Sequence, residues 1–162
     1  MTTLDDVANF RLHFEDLAVG QSFQSPRRTV TEADIVAFAG LSGDYNALHT
    51  DALHGAGTVH GERIAHGLLV LAIASGLSTR MPLMRALEPT LIGLTNLQVR
   101  WRRPTRIGDT LHVLAEVTGL EGGSKSDRGV VTMQRSAVNQ HGEAVMISDW
   151  TLVVARKAGG AS

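Results

Sequence analysis

The stretch His66-Gly67-Leu68-Leu69-Val70-Leu71-Ala72-Ile73-Ala74-Ser75-Gly76-Leu77-Ser78-Thr79-Arg80-Met81 decides the fold. From residue 68 to residue 77 its apolar side chains fall at nearly every angle around a helix, and no charge interrupts them. A helix without a polar face has to be enclosed. Pro82 is a natural stop for it. The downstream sequence supplies the enclosure. Leu97, Val99 and Trp101 alternate with Gln98, Arg100 and Arg102, the period of a strand with one buried face. Further strands are predicted over residues 110–120, 130–139 and 144–156, joined by a turn at 104–109, a glycine-rich link at 121–128 and a turn at 140–143. Upstream, residues 14–30 read as extended, with a turn at Val19-Gly20. Thr31-Glu32-Ala33-Asp34 has the form of a capping box. It opens a helix whose apolar face is Ile35, Val36, Phe38, Ala39 and Leu41, with Gly40 and Gly43 marking its end. The expected class is α+β: an antiparallel sheet of about five strands wrapped around one buried helix.

Bulk properties narrow the function. With 162 residues the chain is one domain by length, able to bury roughly 70% of its unfolded surface. The expected core runs over residues 14–156, with 1–12 and 157–162 flexible. A formal net charge of −1 gives no electrostatic case for nucleic acid or an anionic membrane. The absence of cysteine excludes disulfides and thiolate metal sites. The start, Met1-Thr2-Thr3-Leu4-Asp5-Asp6, lacks the basic and apolar regions of a secretory signal. The longest apolar run, residues 67–77, is about half the roughly 20 residues of a membrane span. A cytoplasmic protein is expected.

Chemistry concentrates between the two helices. Phe38-Ala39-Gly40-Leu41-Ser42-Gly43-Asp44-Tyr45-Asn46-Ala47-Leu48-His49-Thr50-Asp51 sets a carboxylate and an imidazole five residues apart, and Arg63-Ile64-Ala65-His66-Gly67-Leu68-Leu69 follows. Residues 44–65 are too rich in glycine and polar side chains for a packed element, apart from one short turn after Thr50. An acid/base pair on a loop held by rigid elements is where catalysis tends to sit. Taken alone, Ser42-Gly43-Asp44 is equally a turn sequence, and His49 equally a structural histidine.

These two blocks resemble the signature of the MaoC-like dehydratases, the (R)-specific enoyl-CoA hydratase branch of the hot-dog fold. The matching residues are Ser42, Gly43, Asp44, Asn46, Leu48, His49, Asp51, Ile64, Ala65, His66 and Gly67. Supporting similarity lies in Arg103-Pro104, Gly108-Asp109 and Asn139-Gln140-His141-Gly142-Glu143, so the resemblance covers most of residues 14–156. The chain departs from the family pattern at Ala47, where proline is usual, at His54 and His60, where aromatics are typical, at Glu62 and at Ala72. The resemblance implies a hot-dog domain that adds water to a 2-enoyl thioester to give an (R)-3-hydroxyacyl thioester, or the reverse.

Hydration needs a water that loses a proton, a proton for Cα and a donor for the enolate oxygen. The resemblance implies that Asp44 and His49 hold the water. Gly67, at the head of a buried helix, offers an unpaired N–H at the positive end of the dipole, the makings of an oxyanion hole. Asn46 is expected to brace the loop, and His66 to shape the turn into the helix beside the substrate. Arg100, Arg102, Arg103 and Arg106 read either as a solvated strand face or as a clamp for CoA phosphates. Four histidines (His49, His54, His60, His66) within 18 residues invite a metal reading, but their spacing fits no standard site. No metal and no cofactor are expected. The partner is an acyl-CoA or acyl carrier protein thioester, and the resemblance implies a homodimer. Two rivals stand beside this reading. A hot-dog thioesterase would use a helix carboxylate, which residues 67–81 lack. A non-catalytic acyl-binding subunit would not need both Asp44 and His49.

Overall fold

A computed structural model describes residues 10–122 and 126–158. Most of the expected flexible ends, residues 1–9 and 159–162, and part of the 121–128 link lie outside the described residues. The chain runs through a 3-10 turn (Phe14–Asp16), short strands β1 (Ser22–Gln24) and β2 (Arg28–Thr29), and helices α1 (Glu32–Ser42), α2 (Ala47–Thr50) and α3 (Ala52–Ala56). Helices α4 (Gly67–Thr79) and α5 (Pro82–Leu87) follow. Four long strands complete it: β3 (Leu91–Trp101), β4 (Thr110–Glu121), β5 (Arg128–Val138) and β6 (Ala144–Ala155).

The sheet is six-stranded, with order β1-β4-β5-β6-β3 and β2 also pairing with β4. Every pairing is antiparallel. Alternation puts Val113, Ala115 and Val117 of β4, Val131, Met133 and Ala137 of β5 and Met146, Leu152 and Val154 of β6 on the buried face, in one core with α4, which lies against β4. Helix α4 buries Leu69, Val70, Ile73, Ala74 and Leu77. It is not enclosed all round. Leu68, Ala72 and Gly76 recur every fourth residue and form an open stripe. No helix among the described residues is long and apolar enough to cross a membrane.

Other readings are refined in the same way. The Thr31–Asp34 capping box forms as expected. Of the apolar face assigned to α1, Ile35 and Ala39 turn inward, while Val36 and Leu41 (85% exposed) project outward. At 100° per residue, positions 35 and 39 share a face that 36 and 41 cannot. Pro82 does stop α4, but it also opens α5 from the first-turn position, where its missing N–H costs nothing. Met81, Leu83, Met84 and Leu87 are buried there and extend the core. Residues 14–16 form a 3-10 turn rather than an extended segment. Phe14 lies against Gly129 of β5, where a Cβ would collide with its ring.

Candidate active site

Helix α1 ends at Gly43, whose φ of 75° is the left-handed turn that glycine adopts without strain. The chain that leaves it is held by side chains. The Asp44 N–H donates to Ser42 Oγ (3.1 Å), the Asn46 N–H to Asp44 Oδ1 (3.2 Å) and the Leu48 N–H to Asn46 Oδ1 (3.0 Å). Asn46 therefore caps α2, which carries His49. Asp51 caps α3 by accepting from the Leu53 and His54 amides, at 2.9 and 3.0 Å. The His54 amide, with that of Leu53, holds the Asp51 carboxyl below its usual range against the opposing effect of burial. Two short helices thus stand where the composition suggested one turn, because each has its own Asx-type cap. Arg63 forks onto Glu32 of α1 (2.8 and 2.5 Å), which fastens the far end of the loop.

His49 and His66 meet inside this frame. His49 Nδ1 lies 2.7 Å from the Ile64 carbonyl. A carbonyl only accepts, so Nδ1 carries the proton and the neutral ring presents its lone pair at Nε2. His66, 2% exposed, caps the backbone of α4 and donates from Nε2 to the Asp44 carbonyl at 2.9 Å. The two imidazoles stack with centroids 3.9 Å apart, and Phe38 packs against His66 at 5.0 Å. One ring nitrogen each of His49 and His66 and one carboxylate oxygen of Asp44 lie within 4.8 Å of one another. That trio could also ligate a cation, whereas His54 and His60 do not join it.

A groove of about 330 Å³ opens beside His49, lined by Gly67, Val70, Trp101, Arg102 and Arg103 among others. The Gly67 N–H is the first amide of α4, which no carbonyl of its own helix can reach. The arginines separate. Arg102 and Arg103 line the groove, Arg103 lying 3.4 Å from Glu143. Arg100, on the face of β3 opposite Trp101, pairs with Asp149 at 2.8 Å. Arg106 pairs with Glu62. A second cavity, about 460 Å³ and mostly apolar, lies between α1 and α4 and includes Phe38, Leu41, Leu69, Ala72 and Gly76. Trp101 is the residue that sequence reasoning missed. In the sequence it is only one beat of a strand, yet its indole N–H donates to the Gly67 carbonyl at 3.0 Å.

A profile of the MaoC-like domain matches residues 14–139. The chain belongs to the MaoC-like family. Protein MaoC of Klebsiella aerogenes is 38% identical over 109 residues, 67% of this chain but only 31% of that protein. The chain thus spans under a third of that relative's length. The (R)-specific enoyl-CoA hydratase of Rhodospirillum rubrum is 40% identical over 109 residues, covering 67% of this chain and 71% of the relative. Among solved structures, the MaoC-like dehydratase from Rhodospirillum rubrum superposes with a TM-score of 0.81 at 37% identity, over 90% of this chain and 98% of that one. A Mycobacterium tuberculosis protein described as a double hotdog fold aligns with a TM-score of 0.81 over 94% of this chain and 46% of its own. At 22% identity that likeness shows the fold alone, and the fold is the hot-dog fold. Hydratase and dehydratase names recur among the relatives, and this general activity is what membership supports.

Proposed function

We propose that this MaoC-like domain adds water across the double bond of a 2-enoyl-CoA thioester to give the (R)-3-hydroxyacyl thioester, or removes it in the reverse direction. The observation that carries this reading is the convergence of Asp44 and His49, one ligand atom of each within 4.8 Å of the other, with His49 lining a groove that Gly67 also lines. With Nδ1–H committed to the Ile64 carbonyl, His49 offers Nε2 to a water that Asp44 also holds. The water oxygen bonds to Cβ and its proton passes to the Asp44–His49 pair. The π electrons move toward the thioester oxygen, where the Gly67 N–H meets the enolate charge. The pair then returns a proton to Cα. A fixed donor of this kind is worth about 3 kcal/mol. Asn46 and His66 position the loop rather than transfer protons. Arg102 and Arg103 are suited to the CoA phosphates, and the apolar cavity beside Phe38 to the acyl chain.

The proposed assembly is a cytoplasmic homodimer. β3 is a long edge strand unpaired on one side among the described residues, and Leu94, Trp101 and Leu68 are exposed near it. A second copy would cover that edge and the open stripe of α4.

The test follows the conjugated enoyl absorbance of crotonyl-CoA and a longer enoyl-CoA with purified protein. Absorbance is expected to fall, and Asp44→Asn and His49→Ala to slow the loss about 10²–10⁴-fold. Release of free CoA without hydration would favour a thioesterase, and wild-type rates in both variants would refute the site.

A further inference from the structure

Trp101 closes β3 at the groove, half-exposed, with its indole lying against the first residue of α4. A Cβ placed on Gly67 would sit 2.7 Å from Trp101 Nε1 and 2.9 Å from Cε2, so only glycine fits beneath the ring. That requirement creates a difficulty. Glycine is the residue whose backbone is least restrained, yet an N–H that is to meet developing charge must already be fixed in place. The indole removes the freedom that it forces on the chain. Its five-membered ring fills the space where a side chain would have stood, and its N–H donates to the Gly67 carbonyl at 3.0 Å. That carbonyl has two lone pairs, so the indole can share it with the helix's own hydrogen bond.

We infer that Trp101 is a positioning residue, whose ring and indole N–H together clamp the first turn of α4 so that the Gly67 amide keeps its aim into the groove. This rests on the reading of Gly67 as the oxyanion donor. Trp101 itself need not touch the reacting atoms. A side chain that only packed at the end of a strand would have no use for its N–H, and phenylalanine would serve equally well.

The experiment compares wild type, Trp101→Phe, Trp101→Leu and Asp44→Asn as full-length proteins, by steady-state hydration of an enoyl-CoA and by thermal melting. Misplacing a catalytic group by about 1 Å can cost about 100-fold. On that scale Trp101→Phe should lower kcat about tenfold and Trp101→Leu about 100-fold, with KM within about twofold. The melting temperature of Trp101→Phe should match wild type. A Trp101→Phe variant with wild-type kcat overturns the inference, as does one that raises KM alone. If Asp44→Asn were also fully active, the placement of the site at Asp44 would be the part that failed, and a wild type that left enoyl-CoA untouched would sink the hydration reading instead. A second measurement stands apart from activity. In ¹⁵N-labelled protein the Gly67 amide should be ordered in the wild type and measurably looser in Trp101→Phe. Equal order in the two proteins overturns the clamp.

Discussion

The β5–β6 pair and the loop from Gly43 to Gly67 are built on opposite plans. In the strands, backbone groups pair with backbone groups along a register from Arg128↔Ala155 to Val138↔Ala144. In the loop, side chains share that work with short-range backbone bonds: Ser42, Asp44, Asn46, Asp51 and Thr58 each accept from a nearby amide. A substitution in the strands therefore changes packing and leaves the chain path alone. A substitution in the loop releases a backbone amide and moves the groups the chemistry needs. Activity should be sensitive in the loop and stability in the sheet.

The most severe way to break this contrast is at Gly67, where loop and sheet touch. Gly67→Ala forces a methyl against the indole and should cut kcat by about 10²–10³, the effect of losing an oxyanion donor. Steady-state hydration assays check this. Next is Asn46→Ala, which removes the cap of α2 and frees the Leu48 amide. About 1 kcal/mol of stability should be lost, with a fall in kcat larger than that number alone suggests. Denaturant titration beside kinetics separates the two effects.

Arg135 sharpens the comparison from the sheet side. It is 4% exposed, its guanidinium lies 4.2 Å above the Trp150 ring, and no carboxylate pairs with it among the described residues. Burial pushes its pKa down to about 10 from 12.5. Below pH 10 both folded and unfolded forms are protonated, so the penalty is present throughout the neutral range. It is relieved only as pH rises through about 10. Such a shift corresponds to roughly 3 kcal/mol, set against about 1–2 kcal/mol of cation–π attraction. Arg135→Met should therefore raise stability by about 1 kcal/mol, read as a higher urea midpoint at unchanged slope, and leave enoyl hydration unchanged.

His112 gives the smallest expected effect. Burial, with the nearby Arg27 charge, lowers its pKa from 6.5, so the folded state binds its proton less readily than the unfolded chain. Its stabilising contribution is complete above pH 6.5 and is lost as pH falls through the lowered folded value. His112→Gln should flatten the stability profile over that acidic window, measured by denaturation at a series of pH values.

Much of the molecule could be read from local pattern. The capping box at Thr31, the left-handed glycine at 43, the apolar run of α4 and the alternation of the long strands each depend on neighbours within a few residues. So does the approach of Asp44 to His49, since the loop between them is short and folded by its own side chains. Other features depended on distant partners. Alternation turns Arg135 inward, but the Trp150 ring that its guanidinium stacks on comes from β6. The arginine cluster split because β3 ends at Trp101: the Arg102 and Arg103 amides both donate to the Val145 carbonyl beside the groove, while Arg100 stays in the strand on Asp149.

By itself, the sequence determined which residues could carry acid/base chemistry and which elements would form around them, because capping, turn and periodicity are short-range effects. Only the tertiary structure decided how those parts meet. It set His66 on the Asp44 carbonyl and the Ile64 carbonyl on His49, and it laid Trp101 across Gly67. Each of these contacts joins residues 15 to 34 positions apart. Closing such distances is the work of the packed core, and no local propensity records its outcome.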